Sequence, residues 1–201
     1  MNQPVFTYNQ DVAVAASSAG KYITESCVSR GFIMSAKWTT GQNSSAEFLE
    51  LTFESEQGQT ANYISINYRK KDGKPNEIGV GQIQNLMGVT GVKSLSRQQS
   101  GNDIIAPELT RKAVTLALER ENGVKLDGTA KFSLAFRGAF SANSGKTVAE
   151  HINNEQAKSI EYWRARLAEN PQGKPVSAPA QNQQYAAFDN AAPAHEDDIP
   201  F

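Results

Sequence analysis

Four aromatic residues in alternating segments, Trp38, Phe48, Tyr63 and Tyr68, are interspersed with eight cations, Lys37, Arg69, Lys70, Lys71, Lys74, Lys93, Arg97 and Arg137. Cations can track phosphates and aromatic faces can hold unstacked bases, and a single nucleic-acid strand calls for both because it presents charge and π-faces but no groove. Phe48 and Tyr63 stand opposite to the apolar set of their own segments. They are expected to face outward, either as stacking platforms or as cover against a loop. Trp38 and Tyr68 fall in phase with apolar neighbours and are expected to belong to the core, with base stacking as the other reading. For Arg69, Lys70, Lys71 and Lys74, grouped about Asp72-Gly73, two readings stay open: contact with phosphates, or a solvated hairpin tip.

A second chemistry is available at the other end of the chain, which closes Glu196-Asp197-Asp198-Ile199-Pro200-Phe201. Phe201 carries a ring beside a carboxylate, so a receptor can bury the first and pair the second with an arginine or lysine. Pro200 restricts the backbone before it, Ile199 adds apolar surface, and Asp197 and Asp198 would steer the segment toward a basic rim.

Other chemistries find little to work with. Ser144-Gly145-Lys146-Thr147 imitates the end of a phosphate-binding loop, but Phe140 stands where the first glycine is needed. Gly79-Val80-Gly81 has Gln84 in place of the third glycine of a dinucleotide fingerprint. His151 and His195 are the only histidines and Cys27 the only cysteine, so neither a Ser/His/Asp constellation nor a zinc cluster is visible. No metal, cofactor or catalytic residue is expected, and Cys27 is read as a small core residue.

The elements that must position these side chains follow from periodicity. Residues 20–40 alternate Phe32, Met34, Ala36 and Trp38 against Ile33, Ser35 and Lys37, which predicts a long strand that bends or breaks at Gly31. Leu49, Leu51 and Phe53 alternate with Glu50, Thr52 and Glu54, and the alternating run 62–68 follows a Gln57-Gly58-Gln59 turn, so 46–69 predicts a hairpin. Val80, Ile83, Leu86 and Met87 share one face of a short helix. After an irregular loop over 94–110, strands are expected at 112–120 (Val114, Leu116, Leu118) and 130–140 (Phe132, Leu134, Phe136). Ile160, Trp163 and Leu167 share a face of a helix over about 155–168 that Pro171 stops. The expected fold is mainly β: a five-stranded barrel like the oligonucleotide-binding fold, with one short helix between strands three and four and a C-terminal helix.

At 201 residues the chain has room for one well-buried domain with something appended. The expected organisation is a loose lead-in over 1–19, the barrel domain with its C-terminal helix over 20–170, a disordered Pro/Ala/Gln/Asn-rich linker over 171–195 and the acidic tip over 196–201. The net charge of −1 averages unlike regions. Residues 171–201 hold Lys174 against Asp189, Glu196, Asp197 and Asp198, which leaves 19 basic and 17 acidic residues in 1–170. The body can therefore bind phosphates whatever the acidic end does to the total.

In Glu196–Phe201 and the spacer before it, the chain resembles the bacterial and phage single-stranded DNA-binding proteins, which carry a flexible linker and a tip finishing Asp-Asp-Ile-Pro-Phe. Over roughly 20–150 it looks more like the phage members, in Ala36-Lys37-Trp38, Phe48 to Ser55, Gly58 to Tyr63, Asp72-Gly73-Lys74 and the helix with Leu86-Met87. The resemblance implies the barrel, a preference for single strands in replication or recombination, and use of the tip to dock replication and recombination proteins. A homo-oligomer is compatible with it. Two rivals stay open: a strand-annealing factor or nucleic-acid enzyme, and an adaptor that mimics a host tail. With no apolar run near the roughly 20 residues of a membrane span and no secretory signal, a cytoplasmic location is expected, the host's if the protein is viral.

Overall fold

The computed structural model describes residues 22–41, 44–125 and 127–175. The lead-in over 1–19, the greater part of the linker and the tip from Asp197 to Phe201 lie outside the described residues.

The chain builds β1 (Cys27–Thr40), β2 (Glu47–Ser55), β3 (Thr60–Arg69), α1 (Glu77–Thr90), a small hairpin of β4 (Gln98–Ser100) and β5 (Asp103–Ile105), then β6 (Ala113–Val124), β7 (Ala130–Phe140), α2 (Val148–Ile152) and α3 (Lys158–Glu169). All ladders are antiparallel. β1 is the hub: β2 lies along one edge with β3 beyond it, while the other edge takes β6 at Cys27–Phe32 and β5 at Lys37–Trp38.

One strand serves so many partners because it bends. At Gly31 a Cβ would stand 2.0 Å from the Glu54 carbonyl oxygen, so only glycine lets β2 approach there. A register shift between Ile33 and Ser35 then reverses the inward phase. The expectation that Phe32, Met34, Ala36 and Trp38 share one face is corrected here: Ile33 and Ala36 are buried, while Phe32 and Met34 are exposed.

β2 and β3 follow their alternation. Leu49, Leu51, Phe53, Ile64 and Ile66 are fully buried, each contributing about 1.5–3 kcal/mol by leaving water. α1 presents Gly79, Ile83 and Leu86 inward. A Cβ on Gly79 would lie 1.7 Å from the Asn67 carbonyl oxygen, which sets the close approach of α1 to β3. On its other side α1 reaches β7, where Gln82 and Asn85 donate to the carbonyls of Phe136 (3.3 Å) and Ala139 (2.7 Å).

The sheet is therefore not the closed five-stranded barrel expected from sequence. It has seven strands, and β3 and β7 pack near one another without a ladder between them. α1 meets the carbonyls on β7, so a helix rather than a strand covers part of that edge. The loop expected over 94–110 contains the β4–β5 hairpin, in which Gln98–Ser100 is polar and exposed and Asp103–Ile105 is too short to show an apolar alternation. Residues 171–175, expected in the linker, dock instead: the Pro171 carbonyl accepts from the Ser26 N–H at 2.7 Å, and the backbone at Lys174 pairs with that at Glu121 in an isolated parallel β-bridge. Cys27 is half-buried, and burial, with Glu25 nearby, pushes its thiol up to about 11, in keeping with a packing role.

Candidate nucleic-acid interface

Three strand ends meet on one rim of the sheet. The ladders set Trp38 opposite Leu49, Thr39 opposite Phe48 and Glu47 opposite Arg69. The β2–β3 register shifts between Glu47 and Phe48, which leaves Tyr68 as the extra residue of a bulge and turns it toward Trp38. The two rings meet edge to face with centroids 5.3 Å apart. Trp38 Nε1 donates to the Ser96 carbonyl at 2.9 Å, and this fixes the segment that delivers Arg97. The Arg97 guanidinium lies 5.3 Å from the Trp38 ring centroid.

Glu47 organises the cations of this rim. One carboxylate oxygen accepts from Arg97 at 2.9 Å and from the Tyr68 hydroxyl, and the other lies 3.4 Å from Arg69 Nε. The Tyr68 hydroxyl, ahead of the Arg97 hydrogen bond, holds the Glu47 carboxyl below its ordinary range despite desolvation. Burial and the bond to Glu47 push Tyr68 up to about 12. Both groups therefore keep their ordinary charge states at neutral pH.

Beyond β3 the chain turns at Gly73, with φ of 81°, and exposes Lys70, Lys71 and Lys74. Lys74 pairs with Asp72 at 3.7 Å, whereas Lys70 and Lys71 form no salt bridge among the described residues. Lys93 is exposed on the segment after α1. Lys37 pairs with Asp103 of β5 at 2.8 Å, and that hydrogen bond raises its pKa. Phe48 is half-buried on the outer phase of β2, which it shares with Glu50 and Glu54. Lys37, Arg69, Arg97 and the lysines of the turn therefore gather at the end of the sheet, and acids occupy the middle of β2.

Two sequence-derived candidates lie elsewhere. Arg137 bridges Glu119 at 2.5 Å and Glu121 at 2.6 Å, so its charge is already matched within the β6–β7 ladder. Tyr63 is 75% exposed near the other end of β3, beside Tyr22 and Phe132. Sequence reasoning missed Glu47, whose role depends on a bulge, and Phe132, which belonged to an apolar alternation yet is exposed. Trp38 and Tyr68 do pack against the core as their phase predicts, but at its open edge. Among the described residues no group of three His, Cys, Asp or Glu side chains is placed to hold a metal.

No family model matches the chain, and a search of curated proteins returns no match.

Proposed function

We propose that the protein is a non-catalytic binder of single-stranded DNA that coats strands during replication or recombination and recruits partners through Asp197–Phe201. The observation that carries this reading is the rim on which Arg97 lies over Trp38 while Arg69, Lys70 and Lys71 stand close by. Cations beside an aromatic platform supply the phosphate term and the stacking term that a single strand requires.

The path of the chain supports the finer fold assignment. Strands β1, β2 and β3 in one run, β6 and β7 on the other edge of β1, and α1 between the two sets follow the order of an oligonucleotide-binding fold, with the approach of β3 to β7 taking the place of the last ladder. On this reading the β4–β5 hairpin is an insertion that flanks the rim, and the site of action is the cytoplasm.

Fluorescence tests the proposal. Trp163 packs with α3 against a separate small cluster, so a Trp163→Phe variant reports on Trp38 alone. Titration with oligo(dT) is expected to quench Trp38, with duplex of the same length competing far more weakly. Unchanged fluorescence together with unchanged mobility in a gel would reject DNA binding and leave the adaptor reading. Equal affinity for duplex would reject the stacking platform.

A further inference from the structure

The seam between β3 and β7 holds a second constellation, separate from the rim. Tyr22, Tyr63 and Phe132 line one cleft of about 430 Å³ together with Asn62 and Ser133, and the three residues are 56%, 75% and 42% exposed. Among the described residues none of them makes a ring–ring contact with another aromatic. Their faces are thus not consumed by packing on one another.

Tyr63 is held there at a cost in backbone strain. The β2–β3 register shifts between Leu51 and Phe53, and Tyr63 takes φ of 60°, in a region that bulky side chains rarely adopt. Strain of this kind persists where the surroundings over-determine it, and it gathers at functional positions. Nothing about the fold requires a tyrosine in that conformation, since glycine would adopt it freely.

The charge beside the cleft is also preorganised. The Arg120 guanidinium lies 4.3 Å from the Phe132 ring centroid. It donates to the Thr24 carbonyl at 2.7 Å and to the Asn122 and Gln172 side-chain oxygens at 2.8 and 3.2 Å, all neutral acceptors. Arg120 forms no salt bridge among the described residues, and neither does Lys131, which lines an adjoining cleft with Arg120 and Phe132. A fixed cation with no salt-bridge partner among the described residues, stacked on Phe132 and beside Tyr22 and Tyr63, whose rings pack on no other aromatic there, is complementary to a planar base that carries a phosphate.

The geometry points to this seam as a second nucleotide-binding site, taking a base of the single strand among Tyr22, Tyr63 and Phe132 and its phosphate at Arg120 and Lys131. The assignment rests on the single-strand reading above. Arg69 lies six residues beyond Tyr63 along β3, about 20 Å, so one strand of sufficient length would span both sites.

Photocrosslinking of the full-length protein to oligo(dT) carrying 5-iodouracil, followed by peptide mapping, tests the assignment directly. Crosslinks at Tyr63 or Phe132 are expected. Tyr63→Gly and Phe132→Leu are each expected to weaken oligo(dT) affinity about tenfold, while Tyr63→Gly leaves the melting temperature unchanged or higher because it removes the strain. If the unaltered protein binds oligo(dT) but neither variant weakens it and no crosslink maps to 60–63 or 130–134, the seam site is overturned and the rim reading survives. A seam that takes a protein segment instead gives that same result. If the unaltered protein fails to bind oligo(dT), both readings fall.

Discussion

Arg97 and Glu47, fifty residues apart in sequence, form an ion pair of 2.9 Å on the carboxylate oxygen that also accepts the Tyr68 hydroxyl. An incoming phosphate would compete with Glu47 for Arg97 and Arg69, so the acid acts as an internal counter-ion of the proposed rim. Glu47→Gln is expected to raise oligo(dT) affinity and to steepen the log–log salt dependence by about 0.7 for each additional phosphate engaged. Anisotropy titrations at several salt concentrations measure both, and a weakened complex with an unchanged slope would show that Glu47 only positions the arginines.

The same network makes a pH prediction with two limbs. Glu47 has a lowered folded-state pKa, so its contribution to stability is present above the ordinary glutamate value of about 4.3 and is lost as pH falls through the lowered value. Tyr68 is raised to about 12, so its contribution is present below the ordinary tyrosine value of about 10 and is lost as pH rises through 12. The network's contribution should therefore be flat from about pH 5 to 10. Urea denaturation across pH is expected to show both limbs, and Tyr68→Phe should remove the alkaline one.

Lys70 and Lys71 are exposed and touch no acid among the described residues. Lys70→Gln with Lys71→Gln should flatten the salt slope by about 0.7 per lost phosphate contact and leave the melting temperature unchanged. An unaltered slope would assign the two lysines to a solvated turn.

Glu150 ties α2 to α3. Its carboxylate accepts from the Thr147 N–H at 2.8 Å and from the Ser159 N–H at 2.7 Å, and the Thr147 hydroxyl caps the Glu150 N–H in return. Burial alone would raise its pKa, yet these hydrogen bonds hold it below the ordinary range. Glu150→Ala should cost about 1–3 kcal/mol in urea denaturation, since it leaves buried donors unpaired, and Glu150→Gln should recover part of the loss.

The acidic tip gives a prediction that rests on sequence alone. Deleting Phe201 should abolish recruitment of replication or recombination proteins with little change in oligo(dT) affinity. Deleting the last ten residues should also strengthen DNA binding at low salt, because the acids no longer compete with phosphate. Full recruitment without Phe201 would remove the docking role.

Local alternation was enough to place β2, β3 and β7, and the three- and four-residue spacing of Ile83 and Leu86 was enough to place α1, because burial on one face writes its period directly into the chain. The same logic identified Tyr63 as outward-facing and Trp38 and Tyr68 as companions of the core. Where a bulge reverses the phase, as between Ile33 and Ser35, alternation misassigned Phe32 and Met34, since an extra residue in one strand leaves no periodic trace. Only the tertiary structure could decide that α1 meets β7 where a closing strand was expected, that Arg97 covers Trp38, and that Tyr22, Tyr63 and Phe132 share a cleft. Each of these joins residues far apart in the chain, and the close approach that joins them is a property of the packed sheet, which no short window of sequence encodes.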